Sequence, residues 1–157
     1  MNTISDYLGT DHTRCDAFFA QLELAVTEGE WDDAGSDFKN FERAMARHFR
    51  KEEELLFVAF EKTTGNSAGP TSVMRIEHQH LRAIMSRMCE AVVQHDADEF
   101  FGHADTLRIM MHQHNMKEES ILYLMSDRVL AERRDEIVDA MKEIDATDQV
   151  GIVIHTE

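Results

Sequence analysis

Adding 66 to positions in the first half of this 157-residue chain lands on like residues in the second half, and this repeat constrains the fold more than any other feature. His12 maps to His78, His48 to His114 and Glu52 to Glu118. The string from His48 to Phe57, HFRKEEELLF, aligns without a gap to HNMKEESILY from His114 to Tyr123, and Asp11-His12 aligns with Glu77-His78. Each half carries two apolar stripes with steps of three and four, the spacing of a helix that faces a bundle. The stripes are Ile4, Leu8, His12, Cys15, Phe19, Leu22, Val26; then Phe38, Phe41, Met45, His48, Glu52, Leu55, Ala59; then Met74, His78, Leu81, Met85, Met88, Val92; and last Ala104, Leu107, Met111, His114, Glu118, Ile121, Met125. Breaks fall around Glu28 to Asp33, at Gly65-Asn66-Ser67-Ala68-Gly69-Pro70, with Pro70 suited to an early helical position, and at Gln94 to Asp98. One proline and seven glycines leave little turn chemistry for hairpins. The expectation is an all-α, up-and-down antiparallel four-helix bundle with an internal two-fold repeat over residues 1–126. Residues 127–157 fall outside the repeat. There Val129, Leu130, Ile137, Val138, Met141 and Ile144 predict a shorter amphipathic helix packed on the bundle. The apolar tail Val150 to Ile154 is compatible with a short strand, a docking segment or disorder.

Composition narrows the function. The formal net charge is −15, from 16 basic and 31 acidic residues, so the surface repels phosphate backbones and anionic lipid. No apolar run approaches the ~18 residues of a membrane span. Met1 is followed by polar Asn2, Thr3 and Ser5 rather than by a basic and then apolar leader, which points to a cytoplasmic protein with neither nucleic acid nor membrane as partner. The two cysteines, Cys15 and Cys89, have no metal-ligand spacing and are too few for a disulfide scaffold, which suits a reducing compartment.

The chemistry lies in the polar members of the stripes. His48 and Glu52, and likewise His114 and Glu118, are four apart, so each pair projects from one helix face toward the seam. An ionised glutamate among Leu, Met and Phe costs several kcal/mol unless it meets a cation, and here there are two. No Lys or Arg occupies the adjoining seam positions, whereas His12, His48, His78 and His114 supply imidazoles at matched levels. A metal centre of His12, His48, Glu52, His78, His114 and Glu118 fits that inventory. Carboxylates that bridge, with terminal imidazoles, suit two iron or manganese ions, whereas structural zinc takes four ligands, often thiolates. A single histidine on an apolar face is as readily a satisfied core residue. The joint pattern, related by one offset, is hard to reconcile with purely structural groups. Glu53, Glu54, Glu119 and Asp11 turn away from the seam and are read as solvated or as orienting imidazole N–H groups, with Glu119 the one rival to Glu118. His80 and His112 are placed on the surface, and His95, His103 and His155 in loops or the tail. Tyr123 and Phe57, at matched positions, close one end of the core, and Cys15 is a packed thiol.

On the motifs Asp11-His12, His48-xxx-Glu52, Glu77-His78 and His114-xxx-Glu118, over about residues 8 to 126, the chain resembles the hemerythrin-like family, the HHE cation-binding domain. The resemblance implies a non-haem di-iron centre with an oxo or hydroxo bridge, iron ahead of manganese, with His12, His48, His78 and His114 as terminal ligands and Glu52 and Glu118 as bridges. Oxygen-carrying members have a fifth histidine where this chain has Met74, and His-xxxx-Asp where it has His-xxx-Glu, so reversible oxygen carriage is not implied. A near-symmetric set of four histidines leaves both metals with free positions. The function read from this is a di-iron protein that binds or senses oxygen or nitric oxide, or holds iron, with a diatomic molecule or peroxide as ligand. The alternative is a di-iron enzyme, oxidase- or peroxidase-like and served by a redox partner protein, or an iron donor in iron–sulfur cluster repair. Catalytic residues and oligomeric state are not specified by the sequence.

Overall fold

A computed structural model describes the backbone over residues 2–156 and the side chains over 2–147. Five helical rods follow one another: α1 (Ile4–Thr27); α2 (Trp31–Arg50) continued by α3 (Phe57–Thr64); α4 (Pro70–Val93); α5 (Ala97–Lys117) continued by α6 (Tyr123–Val129); and α7 (Arg134–Thr156). No strand occurs among the described residues. Short links between long rods force consecutive helices antiparallel, and α1 packs along α2 as α4 packs along α5. The chain is therefore an up-and-down bundle with its repeat written into its shape.

Local chemistry sets the ends. Thr3 caps α1 reciprocally with Asp6, its hydroxyl accepting from the Asp6 N–H at 3.0 Å. Asp96 caps α5 through the Glu99 N–H, and Pro70 opens α4, where no amide partner is needed. Gly65 stops α3 in the left-handed conformation at φ 69°.

Two rods are interrupted at equivalent places. Lys51–Leu56 joins α2 to α3, and Glu118–Leu122 joins α5 to α6, as π-helical turns. The Phe57 N–H donates to the Glu52 carbonyl and the Tyr123 N–H to the Glu118 carbonyl, five residues back in each case. Each turn holds one residue more than an α-turn, so the stripe slips by one beyond it. Leu56 and Leu122 are buried where Leu55 and Ile121 were expected, and Ile121 is 53% exposed. Met125 is only half-buried, while Ser126 is buried. Upstream of the π turns the expected stripes are buried throughout.

The apolar interior forms two clusters. One gathers Phe19, Leu22, Phe38, Phe41, Met88 and Leu107; the other gathers Ile4, Leu8, Leu56, Phe60, Tyr123 and Met141. The polar layer of His12, His48, Glu52, His78, His114 and Glu118 sits between them, and all six residues are buried. Ile137, Val138 and Met141 of α7 enter the second cluster, so this helix lies over the α3–α6 end. Its backbone stays helical through 150–154, whereas the packing of that tail and the position of the His155 side chain lie outside the described residues.

Candidate metal centre

Four rods supply the polar layer: α1 gives His12, the junction of α2 with its π turn gives His48 and Glu52, α4 gives His78, and the junction of α5 with its π turn gives His114 and Glu118. The donor atoms fall into two groups, His12, His48, Glu52, Glu118 and Glu52, His78, His114, Glu118, with the atoms of each within 4.8 Å of one another. Both glutamates belong to both groups. The imidazole rings of His12 and His48 have centroids 4.7 Å apart, and those of His78 and His114 are 4.9 Å apart, as the repeat requires.

Every imidazole is oriented by a carboxylate behind it. His48 Nδ1 meets Asp11 at 3.1 Å, and His114 Nδ1 meets Glu77 at 2.8 Å. His78 Nδ1 meets Glu53 at 2.7 Å, and His12 Nδ1 meets Glu119 at 2.5 Å. Adding 66 turns His48–Asp11 into His114–Glu77, and exchanging each residue for its mate turns His78–Glu53 into His12–Glu119. With Nδ1–H committed to these acceptors, the Nε2 atoms turn inward. His12 Nε2 lies 3.1 Å from His48 Nε2 and 3.1 Å from Glu118 Oε1. His48 Nε2 lies 3.3 Å and His78 Nε2 3.1 Å from Glu52 Oε1, and His114 Nε2 lies 3.2 Å from Glu118 Oε2. Yet Glu52 Oε1, His78 Nε2, His114 Nε2 and Glu118 Oε2 are buried without a hydrogen-bond partner. Imidazole and carboxylate lone pairs that converge in a dry interior repel unless a cation separates them.

The electrostatics without metal follow from that crowding. Burial alone would lower the His78 imidazole, but Glu118, Glu52 and Glu53 raise it to about 10. Burial opposes protonation of His48 as well, and Glu52, Asp11 and Glu118 carry it well above its ordinary value. The Glu118 carboxyl is pushed up by burial and pulled further down by its contacts with Glu52, His114, His12 and His48, ending well below the carboxylate range.

Asp11, Glu53 and Glu119 take the orienting role considered for them, and Glu77 joins them; Glu54 instead lies at the surface, paired with Arg50 at 3.1 Å. Glu119 points to the rear of His12, away from the shared carboxylate position that Glu118 takes. His80 and His112 are exposed. His95 closes the α4–α5 loop and stacks on Trp31, whereas His103, expected in a loop, lies on α5 against Glu99. Cys15 is a packed thiol, raised by burial to about 11.

Two features escaped the sequence. Tyr123 does more than close the core: its hydroxyl donates to Glu52 Oε2 at 2.6 Å and lies 3.0 Å from Glu118 Oε1 and 3.1 Å from His12 Nε2. The signal was the single break in symmetry at its position, a phenol where the other half has Phe57. The hydroxyl falls in the His12–His48 half, so the two halves of the layer are not equivalent. Lys51 is 1% exposed, its ammonium 2.8 Å from Asp11 and 2.7 Å from Asp145 on α7. It fixes the carboxylate that orients His48. Its partner Asp145 lies outside the repeat, where no offset could find it.

An all-α bundle whose middle layer offers four imidazoles and two carboxylates, each imidazole backed by a further carboxylate, is by architecture and donor set a cation-binding domain. The chain matches the family model described as the hemerythrin HHE cation-binding domain over residues 3–126, and it belongs to that family. Comparisons with curated proteins and with solved structures returned no match.

Proposed function

We propose that the chain is a two-metal protein that binds or senses a diatomic ligand, oxygen or nitric oxide, at iron ions shared between Glu52 and Glu118. His12 and His48 would complete one position, and His78 and His114 the other. The supporting observation is the set of buried atoms without partners, Glu52 Oε1, Glu118 Oε2, His78 Nε2 and His114 Nε2, all directed into one dry layer. The donors are nitrogen and carboxylate oxygen with no thiolate, a set that suits iron or manganese, and the family resemblance favours iron. Iron bound there would supply one-electron chemistry and open positions for a small ligand. The residues do the rest. Asp11, Glu53, Glu77 and Glu119 hold the imidazole tautomers, the π turns aim the carboxylates, and the two apolar clusters keep bulk water from both ends of the layer.

Anaerobic loading with ferrous iron, followed by absorption spectra during exposure to oxygen and after its removal, tests this reading. A charge-transfer band that forms and reverses supports binding or sensing. Glu52→Ala and Glu118→Ala are each expected to lose the paired metals while remaining helical. Normal metal content in both variants refutes the assignment.

A second reading, oxidase- or peroxidase-like turnover with a redox partner protein, has Tyr123 in its favour. A phenol hydrogen-bonded to both shared carboxylates is a proton donor within the centre itself. Multiple turnover of peroxide with a reductant selects this reading, whereas a binding protein stops after one equivalent. We assign the protein to the cytoplasm, with neither nucleic acid nor membrane as partner. Its charge of −15 and its free cysteines Cys15 and Cys89 support this, and no described helix is long and apolar enough to cross a membrane.

A further inference from the structure

The repeat places a groove on each side of the bundle, and the two grooves have diverged. One, of about 530 Å³, runs between α1 and α5, and the other, of about 480 Å³, between α2 and α4. Their linings correspond under the offset of 66: Phe19 with Met85, Ala20 with Ser86, Met111 with Met45. Several mated positions differ, Glu42 with Arg108, Ala46 with His112 and Cys89 with Glu23 among them, and two exchanges fall beside the polar layer. Where the α2–α4 groove has Phe49 and Arg82, the α1–α5 groove has Asn115 and Asp16.

Those exchanges decide which groove reaches the polar layer. Phe49 stacks on His78 with ring centroids 4.1 Å apart, and the Arg82 guanidinium lies over the outer face of Phe49 at 4.8 Å. Arg82 also forks onto Glu53, with bonds of 2.9 and 2.8 Å, and so clamps the carboxylate that orients His78. His78 has no exposed surface and does not line that groove. On the other side His12 and Glu119 themselves line the cavity. Asn115 is too short to cover His12 as Phe49 covers His78. Asp16, in place of the clamping arginine, repels Glu119 instead of holding it. The Glu119 side chain is accordingly 48% exposed, against 22% for Glu53. A third depression touches His114, but it measures only about 140 Å³ and the Lys117–Glu77 ion pair lies across it.

We propose that divalent cations reach the centre through the α1–α5 groove, passing Asp16 and Glu119 to the His12 side, and that Phe49 and Arg82 close the equivalent route between α2 and α4. This rests on the metal reading above. The chemistry suits a cation. Asp16 and Glu119 offer successive carboxylates that exchange with its hydration shell, while Arg108 at the far end of the groove is neutralised by Glu23 and Asp105. Glu119 needs only to leave His12 Nδ1 to open the floor, a motion that no Lys or Arg among the described residues opposes.

The test is stopped-flow uptake of Co²⁺ by the metal-free full chain, followed by its visible absorption, in matched variants on the two sides. Ala20→Trp narrows the α1–α5 groove and Ser86→Trp its equivalent, and both residues are exposed. Ala20→Trp is expected to slow uptake about ten-fold or more while the final stoichiometry stays that of the parent; Ser86→Trp stays within about two-fold. Asn115→Phe, which gives α5 the residue that Phe49 supplies on α2, yields the same slowing should a tryptophan at 20 disturb the helix pair. Equal slowing on both sides, slowing only in Ser86→Trp, or unchanged rates in both Ala20→Trp and Asn115→Phe overturns the route. A parent chain that takes up no Co²⁺ refutes the metal reading, and the route with it, so the two failures are told apart by stoichiometry and rate.

Discussion

Lys51 and Lys117 hold the same place in the two repeats, and each pairs with the carboxylate that orients a histidine of its own half: Lys51 with Asp11, Lys117 with Glu77. Burial separates them. Lys51 is 1% exposed and also pairs with Asp145, whereas the Lys117 side chain is 45% exposed and has Glu77 alone. Replacing Lys51 by Met keeps the aliphatic stem but leaves Asp11, and Asp145 beside it, without their ammonium. Removing one partner of a buried pair costs about 3–5 kcal/mol, because the remaining charge is left in a dry site. In a domain of this size each kcal/mol moves Tm by about 2–4 °C, so Lys51→Met is expected to lower it by roughly 6–20 °C. Lys117→Met removes a solvated pair worth about 0–1 kcal/mol, a shift of at most about 4 °C. Both are read by circular dichroism melts of chelator-treated protein near pH 7, so that metal loss does not contribute. Asp145→Asn on the Lys51→Met background is expected to recover part of the loss, since it removes a carboxylate left with only the more distant Arg47, 3.6 Å away, as its cation, and the cycle is then non-additive. Equal shifts for Lys51→Met and Lys117→Met would refute the claim that burial sets the difference. Additivity with Asp145→Asn would refute the coupling of α7 to the rear of His48.

The His78–Glu53 pair predicts a stability optimum for the metal-free chain. The His78 imidazole is raised from 6.5 to about 10, so its contribution is complete below 6.5 and is lost as pH rises toward 10. Burial would raise the Glu53 carboxyl, but His78 and Arg82 hold it near 2, so its contribution is present above 4.5 and is lost as pH falls toward 2. Urea midpoints should therefore peak between about 4.5 and 6.5, and a profile still rising at pH 9 would contradict the pairing. A second expectation concerns the π turns. Deleting Ser120 leaves Leu122, Tyr123 and Ser126 three, four and seven residues from Glu118, the spacing of an unbroken α-helix on the same face. The deletion should fold with parental helicity but hold less metal than the parent, and unchanged metal content would show that the π turn does not aim Glu118.

The sequence revealed what the two halves share and missed what they do not. Six polar residues in apolar stripes, related by one offset, were enough to locate the layer, because a 3.6-residue period puts His48 and Glu52 on one face whatever surrounds them. The period fails one turn later. The extra residue of each π turn puts Ile121 on the surface and leaves Leu55 at the margin of the core, and periodicity alone carries no sign of an i+5 bond, since the same string is compatible with an unbroken helix. Tyr123, the Asn115 and Asp16 exchanges, and the Lys51–Asp145 pair each break the repeat or fall beyond it, so a search for likeness passes over them. Three of these four departures, Tyr123, Asn115 and Asp16, bear on the His12 side of the layer, where the hydroxyl enters, the groove opens and the orienting carboxylate lacks a clamp. The fourth steadies His48 in the same half. A doubled helix pair gives both halves equal donors; it is substitution at the mated positions that leaves a groove reaching His12 while Phe49 covers His78.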